Sequence, residues 1–104
     1  MDKFAGGTVV ARNRGVFAIS VAAQMASMEI QNLRVYERRG LLDPDRTPGG
    51  TRLYSEADVA RLIRIGELLA EGLNLAGIAR VIELETQVAR LRADNIRLRA
   101  ERAG

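Results

Sequence analysis

From Val81 to Leu98 the apolar positions of this chain fall alternately three and four residues apart. Val81, Val88 and Asn95 take the a positions of a heptad, and Leu84, Leu91 and Leu98 take the d positions. A stripe that narrow favours pairing with another helix over burial in a globular core. It is the seam of a helix that pairs with another helix, and a single Asn at an a position fixes register between identical strands at some cost in stability. Segment 81–104 is therefore expected to be a coiled-coil helix that joins two copies of the chain. The competing possibility is one long helix folding back on its own head. Everything else must fold from roughly the first eighty residues.

Those residues carry no means of covalent or metal reinforcement. The 104-residue chain has no Cys and no His, which removes disulfides, zinc sites, thiol nucleophiles and Ser-His-Asp chemistry together. The acidic residues are scattered along charged helical faces rather than gathered in pairs, so an enzyme is not expected, and neither a metal nor a cofactor. Sixteen Lys+Arg against 13 Asp+Glu leave a net charge of +3. Lys3 is the only lysine, so the cationic side chains are nearly all arginine, the residue that pairs bidentately with phosphates and guanine edges. No apolar run reaches the roughly 20 residues of a membrane span, and no signal peptide is expected. The expected compartment is the cytoplasm.

Residues 1–15 read as a basic arm with three glycines, either an unstructured start or a segment lying on a nucleic-acid backbone. Residues 16–80 read as a mainly α domain. Ser20 is the expected N-cap of a short helix whose apolar face is Val21, Ala22, Met25 and Ala26. Ser27-Met28-Glu29 turns the chain, and a second helix runs over Ile30–Arg39, with Ile30 and Leu33 inward and Gly40 as its stop. Two short helices across so brief a turn form a helix-turn-helix. The second carries Gln31, Asn32, Arg34, Arg38 and Arg39 outward, side chains that match adenine and guanine edges, although a plain soluble surface has the same composition.

The stretch Asp43–Tyr54 is expected to form a two-stranded wing, turned by Pro44, Pro48, Gly49 and Gly50. Arg46 sits near its tip. Alternation along Thr51-Arg52-Leu53-Tyr54 places Arg52 and Tyr54 on one side, where they suit a phosphate clamp; Tyr54 as a core tyrosine is the equal alternative. Ser55 and Asp58 then make a capping box for a helix with Val59, Leu62, Ile63, Ile65, Leu68 and Leu69 as its inner stripe. Glu71-Gly72 ends that helix. Asn74 caps the next, with Leu75, Ile78, Val81 and Ile82 inward.

In this order the parts are recognisable. Ile19-Ser20-Val21-Ala22-Ala23, then Asn32-Leu33-Arg34-Val35-Tyr36-Glu37-Arg38-Arg39-Gly40-Leu41-Leu42, then Pro44-Asp45-Arg46, Gly50-Thr51-Arg52-Leu53-Tyr54 and Asp58-Val59 resemble the MerR family of bacterial transcription regulators. Gly49-Gly50 and the run from Gly72 to Ile78 look most like its HspR branch, repressors of heat-shock genes. The resemblance implies a winged helix-turn-helix that binds double-stranded DNA as a homodimer. It places Gln31 and Arg34 near the major groove, and Tyr36, Arg38, Arg39, Arg52 and Tyr54 near bases or backbone. Periodicity alone makes Tyr36 a core residue beside Leu33; the resemblance makes it a phosphate contact.

The resemblance also implies antiparallel pairing of the dimer helices, whereas Val at a, Leu at d and Asn at a favour a parallel pair. Antiparallel pairing is the expectation taken, because the heads constrain where each coil starts. No effector domain is expected after the coil. The HspR branch further implies the chaperone DnaK as a partner, acting through a C-terminal tail of which little is present here. Two other functions fit the same sequence: an architectural or excisionase-type factor that bends DNA, and a coiled-coil adaptor whose head binds protein.

Overall fold

The computed structural model describes residues 12–103. Most of the expected arm, residues 1–11, lies outside the described residues. Among the described residues there are four helices and one small sheet: α1 (Ile19–Met25), α2 (Ile30–Arg38), β1 (Asp45–Arg46), β2 (Arg52–Leu53), α3 (Glu56–Ala70) and α4 (Leu75–Ala103). The chain divides into two compact units, residues 1–67 and 68–104. The boundary expected at residue 81 falls inside α4, which is continuous from Leu75 to Ala103.

One device ends three of the helices. After α2, the Gly40 amide donates to the Glu37 carbonyl and the Leu41 amide to the Tyr36 carbonyl, with Gly40 at φ +79°. After α3, Gly72 and Leu73 donate to Leu69 and Leu68 in the same pattern, with Gly72 at φ +96°. These are Schellman caps, whose left-handed residue is normally glycine. After α1 the same two bonds run from Ser27 to Gln24 and from Met28 to Ala23. Here the left-handed residue is Ser27, at φ 56°. A serine in that region costs about 1–2 kcal/mol, so the sharp helix-turn-helix corner is held by what packs around it.

At helix starts the local signals mostly hold. The Ser55 amide donates to Asp58 Oδ2 at 2.9 Å while the Asp58 amide donates to Ser55 Oγ at 3.0 Å, a complete capping box at the head of α3. The Gly77 amide donates to Asn74 Oδ1 at 2.8 Å, which caps α4. Ser20 does not cap α1. The helix begins two residues earlier than a Ser20 cap requires, at Ile19, and its N-cap is Ala18, with no side-chain hydrogen bond.

Burial in the first unit comes from Ala22, Ala23, Leu33, Tyr36, Leu41, Leu42, Tyr54, Val59, Leu62 and Ile65. The expected face of α1 is therefore rotated. Two alanines turn inward, which lets the backbones of α1 and α2 approach, while Val21 and Met25 are left exposed. Ile30 is likewise exposed, and Leu33 anchors α2 with its partner Tyr36. On α3 the stripe narrows to Val59, Leu62, Ile65 and Leu68; Ile63 and Leu69 are exposed. In the second unit Ile78 and Ile82 are buried on α4.

The wing is a tight hairpin. β1 and β2 pair antiparallel, with Asp45 opposite Leu53 and Arg46 opposite Arg52. Its turn places Pro48 second, closes with the Gly50 amide on the Thr47 carbonyl at 2.8 Å, and returns through the Thr47 amide to the Thr51 carbonyl at 2.9 Å. A further segment joins it that the sequence did not suggest. Phe17 and Tyr54 form an antiparallel bridge, the Tyr54 amide donating to Phe17 at 2.7 Å and the Phe17 amide returning at 2.8 Å. Gly15 donates to Asp45 Oδ2 at 2.8 Å. Residue 15 is thus part of the folded wing, not the end of a loose arm.

Gly15 has no room for a side chain. A Cβ there would lie 2.4 Å from the Leu53 carbonyl oxygen and 2.8 Å from Asp45 Cβ. Because the obstruction is largely backbone, Gly15→Ala is expected to destabilise the chain by about 1–3 kcal/mol. Gly49→Ala, whose Cβ meets only Thr47 Oγ1 at 3.8 Å, is expected to stay within about 0.5 kcal/mol. Thermal unfolding of the two variants side by side checks this; equal midpoints would show that the 15–17 segment is not held against β2.

Candidate nucleic-acid interface

Side chains on α2 advance by about 100° per residue. Leu33 and Tyr36 share one side and are buried; Gln31, Arg34 and Arg38 share the opposite side and are exposed. Asn32 and Arg39 are exposed on the flank of that face. The helix thus presents one amide and two guanidinium side chains in a row, with nothing apolar between them except the half-buried Val35. Such a row can hydrogen-bond to base edges in a groove about as wide as a helix. Ser20, Gln24, Met28, Glu29, Gln31 and Arg34 line an open groove at the α1–α2 corner.

The two tyrosines are not on this surface. Tyr36 is 5% exposed and belongs to the core, because it follows the inward Leu33 by three positions; burial also raises its pKa. Its ring packs in the core, where periodicity alone placed it. Tyr54 is fully buried, so of its two expected placements the core is the one observed, beside a main chain bridged to Phe17. Its hydroxyl is buried without a hydrogen-bond partner, and burial is the main cause of its raised pKa.

Arg46 and Arg52 are both tied to Glu37. Arg46 Nη2 donates to Glu37 Oε2 at 2.8 Å, and Arg52 Nε donates to Glu37 Oε1. Arg46 Nη1 also donates to the Gly50 carbonyl at 3.0 Å, so one guanidinium spans the turn and the helix. The hydrogen bond from Arg52 to Glu37 is the largest influence holding that guanidinium protonated. Like charges directly opposite on paired strands repel, and Arg46 faces Arg52 across the hairpin. Glu37 supplies the countercharge and fastens the wing to α2. Sequence reasoning passed over Glu37. Its signal was present: it is the one acid within Ile30–Arg38, a helix otherwise supplied with arginine and amides.

On α4 the six heptad residues lie along one stripe. Val81 is half-buried, whereas Leu84, Val88, Leu91, Asn95 and Leu98 are exposed. Two shallow apolar grooves run along it, lined by Val81, Leu84, Val88 and Ala89, and by Val88, Leu91, Asn95 and Leu98. Arg80–Glu83, Arg97–Asp94 and Arg97–Glu101 pair along the helix; exposed pairs of this kind contribute little to stability. No helix among the described residues is long and apolar enough to cross a membrane. No group of acidic side chains among the described residues is placed to hold a metal ion.

Residues 17–85 match the family model described as MerR HTH family regulatory protein. The chain is 53% identical over 79 residues to a Streptomyces coelicolor protein named as heat shock protein HspR, covering 75% of this chain and 52% of that one. It therefore spans about half the length of that relative. It is 34% identical over 86 residues to the HTH-type transcriptional regulator GlnR of Bacillus cereus, covering 80% of this chain and 67% of that one. Among solved structures, the transcription regulator PbrR691 of Ralstonia metallidurans, in complex with lead(II), superposes with a TM-score of 0.63 at 28% identity, over 82% of this chain and 79% of that one. HiNmlR, a MerR-family regulator lacking the sensor domain and bound to promoter DNA, has a TM-score of 0.61 at 22% identity, over 84% and 73%, and shares the fold.

Proposed function

The chain belongs to the MerR HTH family of regulatory proteins, and from that membership we propose that it is a sequence-specific DNA-binding transcriptional regulator acting as a repressor. The observation that carries this function is the outward row Gln31, Arg34 and Arg38 on α2, set opposite its buried side and beside an arginine-bearing wing. In the proposed complex α2 lies in the major groove, with Gln31, Asn32 and Arg34 at base edges and Arg38 and Arg39 toward the backbone. The wing, through Arg46 and Arg52, meets flanking phosphates, which position the protein without specifying sequence. Two copies pair through the stripe Val81, Leu84, Val88, Leu91, Asn95 and Leu98. A two-fold protein of this kind reads two half-sites whose spacing its dimer sets. It works in the cytoplasm, and the head is a binding surface rather than a catalyst. The resemblance to the HspR branch favours repression, with stress genes as targets.

Selection of bound duplexes from a random pool, followed by sizing of the complex, tests this. An enriched inverted repeat carrying two chains is the expected result. No enrichment by a chain that still dimerises would favour a protein-binding adaptor. On the enriched operator, Arg34→Ala is expected to cost about 1–3 kcal/mol and to relax preference at one base pair. An equal loss on every duplex would move Arg34 from base to backbone.

A further inference from the structure

An acid on a DNA-reading helix is unfavourable by itself, since it faces a dense row of phosphates. Glu37 is such an acid, yet its side chain is only 19% exposed, and each carboxylate oxygen takes a guanidinium from a different strand of the wing. On α2 it follows Arg34 by three positions, so it stands at the border between the outward row and the buried side. Arg46 and Arg52 face each other across the hairpin, and the turn is closed by bonds among Thr47, Gly50 and Thr51 and by Arg46 Nη1 on the Gly50 carbonyl, so the guanidinium held by Glu37 also braces the turn.

We propose that Glu37 is a specificity-setting residue of the DNA-binding head: a latch that holds the wing arginines at a set distance from the base-reading row. It does so while cancelling one of their two charges. The proposal rests on the function given above. Latched, Arg46 and Arg52 offer phosphates a single net charge at a defined place, so the wing reaches backbone only when α2 is seated in its groove. Unlatched, they are two mobile cations that bind any duplex. Glu37 thus trades non-specific affinity for discrimination, and it needs no contact with DNA to do so.

The test compares wild type, Glu37→Gln and Glu37→Asp on the selected operator and on a scrambled duplex of equal length, between 50 and 200 mM salt, with amide exchange measured on the free proteins. Glu37→Gln removes the charge and keeps the volume. It is expected to bind the scrambled duplex more tightly at low salt, and one added phosphate contact makes that affinity fall about 3.5-fold further across the salt range. The preference for operator over scrambled duplex should drop roughly tenfold, the discrimination of about one base pair. Thr47, whose amide bonds to Thr51, should exchange faster while the α3 amides do not change. Glu37→Asp, too short to reach both guanidiniums, should fall between. Equal losses on both duplexes would make Glu37 a structural residue only, and an unchanged preference would likewise overturn the latch. Should wild type bind no duplex, the proposed function fails and Thr47 exchange decides the latch alone: unaltered exchange in Glu37→Gln removes it.

Discussion

Replacing Val88 and Leu91 together by Gln is expected to turn a dimer into a monomer and to weaken operator binding by about 10²–10⁴-fold, the avidity lost when two linked half-site contacts become one. Both residues are exposed along α4, Val88 at 44% and Leu91 at 64%, so the substitution removes little packing within the chain. Gln is a good helix former and adds no charge, which keeps helix propensity and phosphate attraction close to their original values. What changes is the apolar seam. Losing both seam positions of the middle heptad in a stripe this short leaves too little area for the remaining positions to hold two helices together. Sedimentation equilibrium and operator titration read the two effects separately. A variant of unchanged mass would show that copies associate through another surface, or not at all.

The second large effect is on folding. Leu33 is fully buried, and it is the inward residue nearest the middle of α2. Leu33→Ala should cost about 2–5 kcal/mol, the transfer of three carbons plus the cavity left after whatever collapse the site permits. For a domain of this size that lowers the unfolding midpoint by roughly 10–20 °C. The helix that loses its anchor is the one carrying Gln31, Arg34 and Arg38, so operator affinity should fall further than the population of unfolded chain explains. Ile63→Ala is the internal control: that side chain is 45% exposed, and its loss should cost well under half as much. Urea titration of both variants settles the ranking. Similar costs would mean that α2 is not seated on the core through Leu33.

Local chemistry was legible wherever a residue type and its neighbours along the chain decide the outcome. Ser55 with Asp58, Asn74, Gly40 and Gly72 each act over three to five positions, and each does what its side chain or lack of one dictates. The corner at Ser27 was legible from its brevity, not from a glycine, since a serine occupies the left-handed position there. Amphipathic stripes were legible only to within a rotation. Ile63 and Leu69 on α3, and Val21 and Met25 on α1, are as apolar as their buried neighbours. Periodicity finds a face, but the width of that face depends on how much of it a neighbouring element covers.

The sequence by itself determined the elements, their order and most of their ends, the outward row on α2 and the heptad stripe on α4, because periodicity and capping are set within a few residues. Only the tertiary structure decided what meets across long separations. Glu37 joins Arg46 and Arg52 over nine and fifteen positions. Gly15 is pressed on Leu53, and Phe17 bridges the main chain of Tyr54, whose side chain lies in the core. The physical reason is the same in each case. A countercharge, a steric limit and a backbone bridge have no period along the chain; they exist only once folding has brought the two groups within a few ångströms.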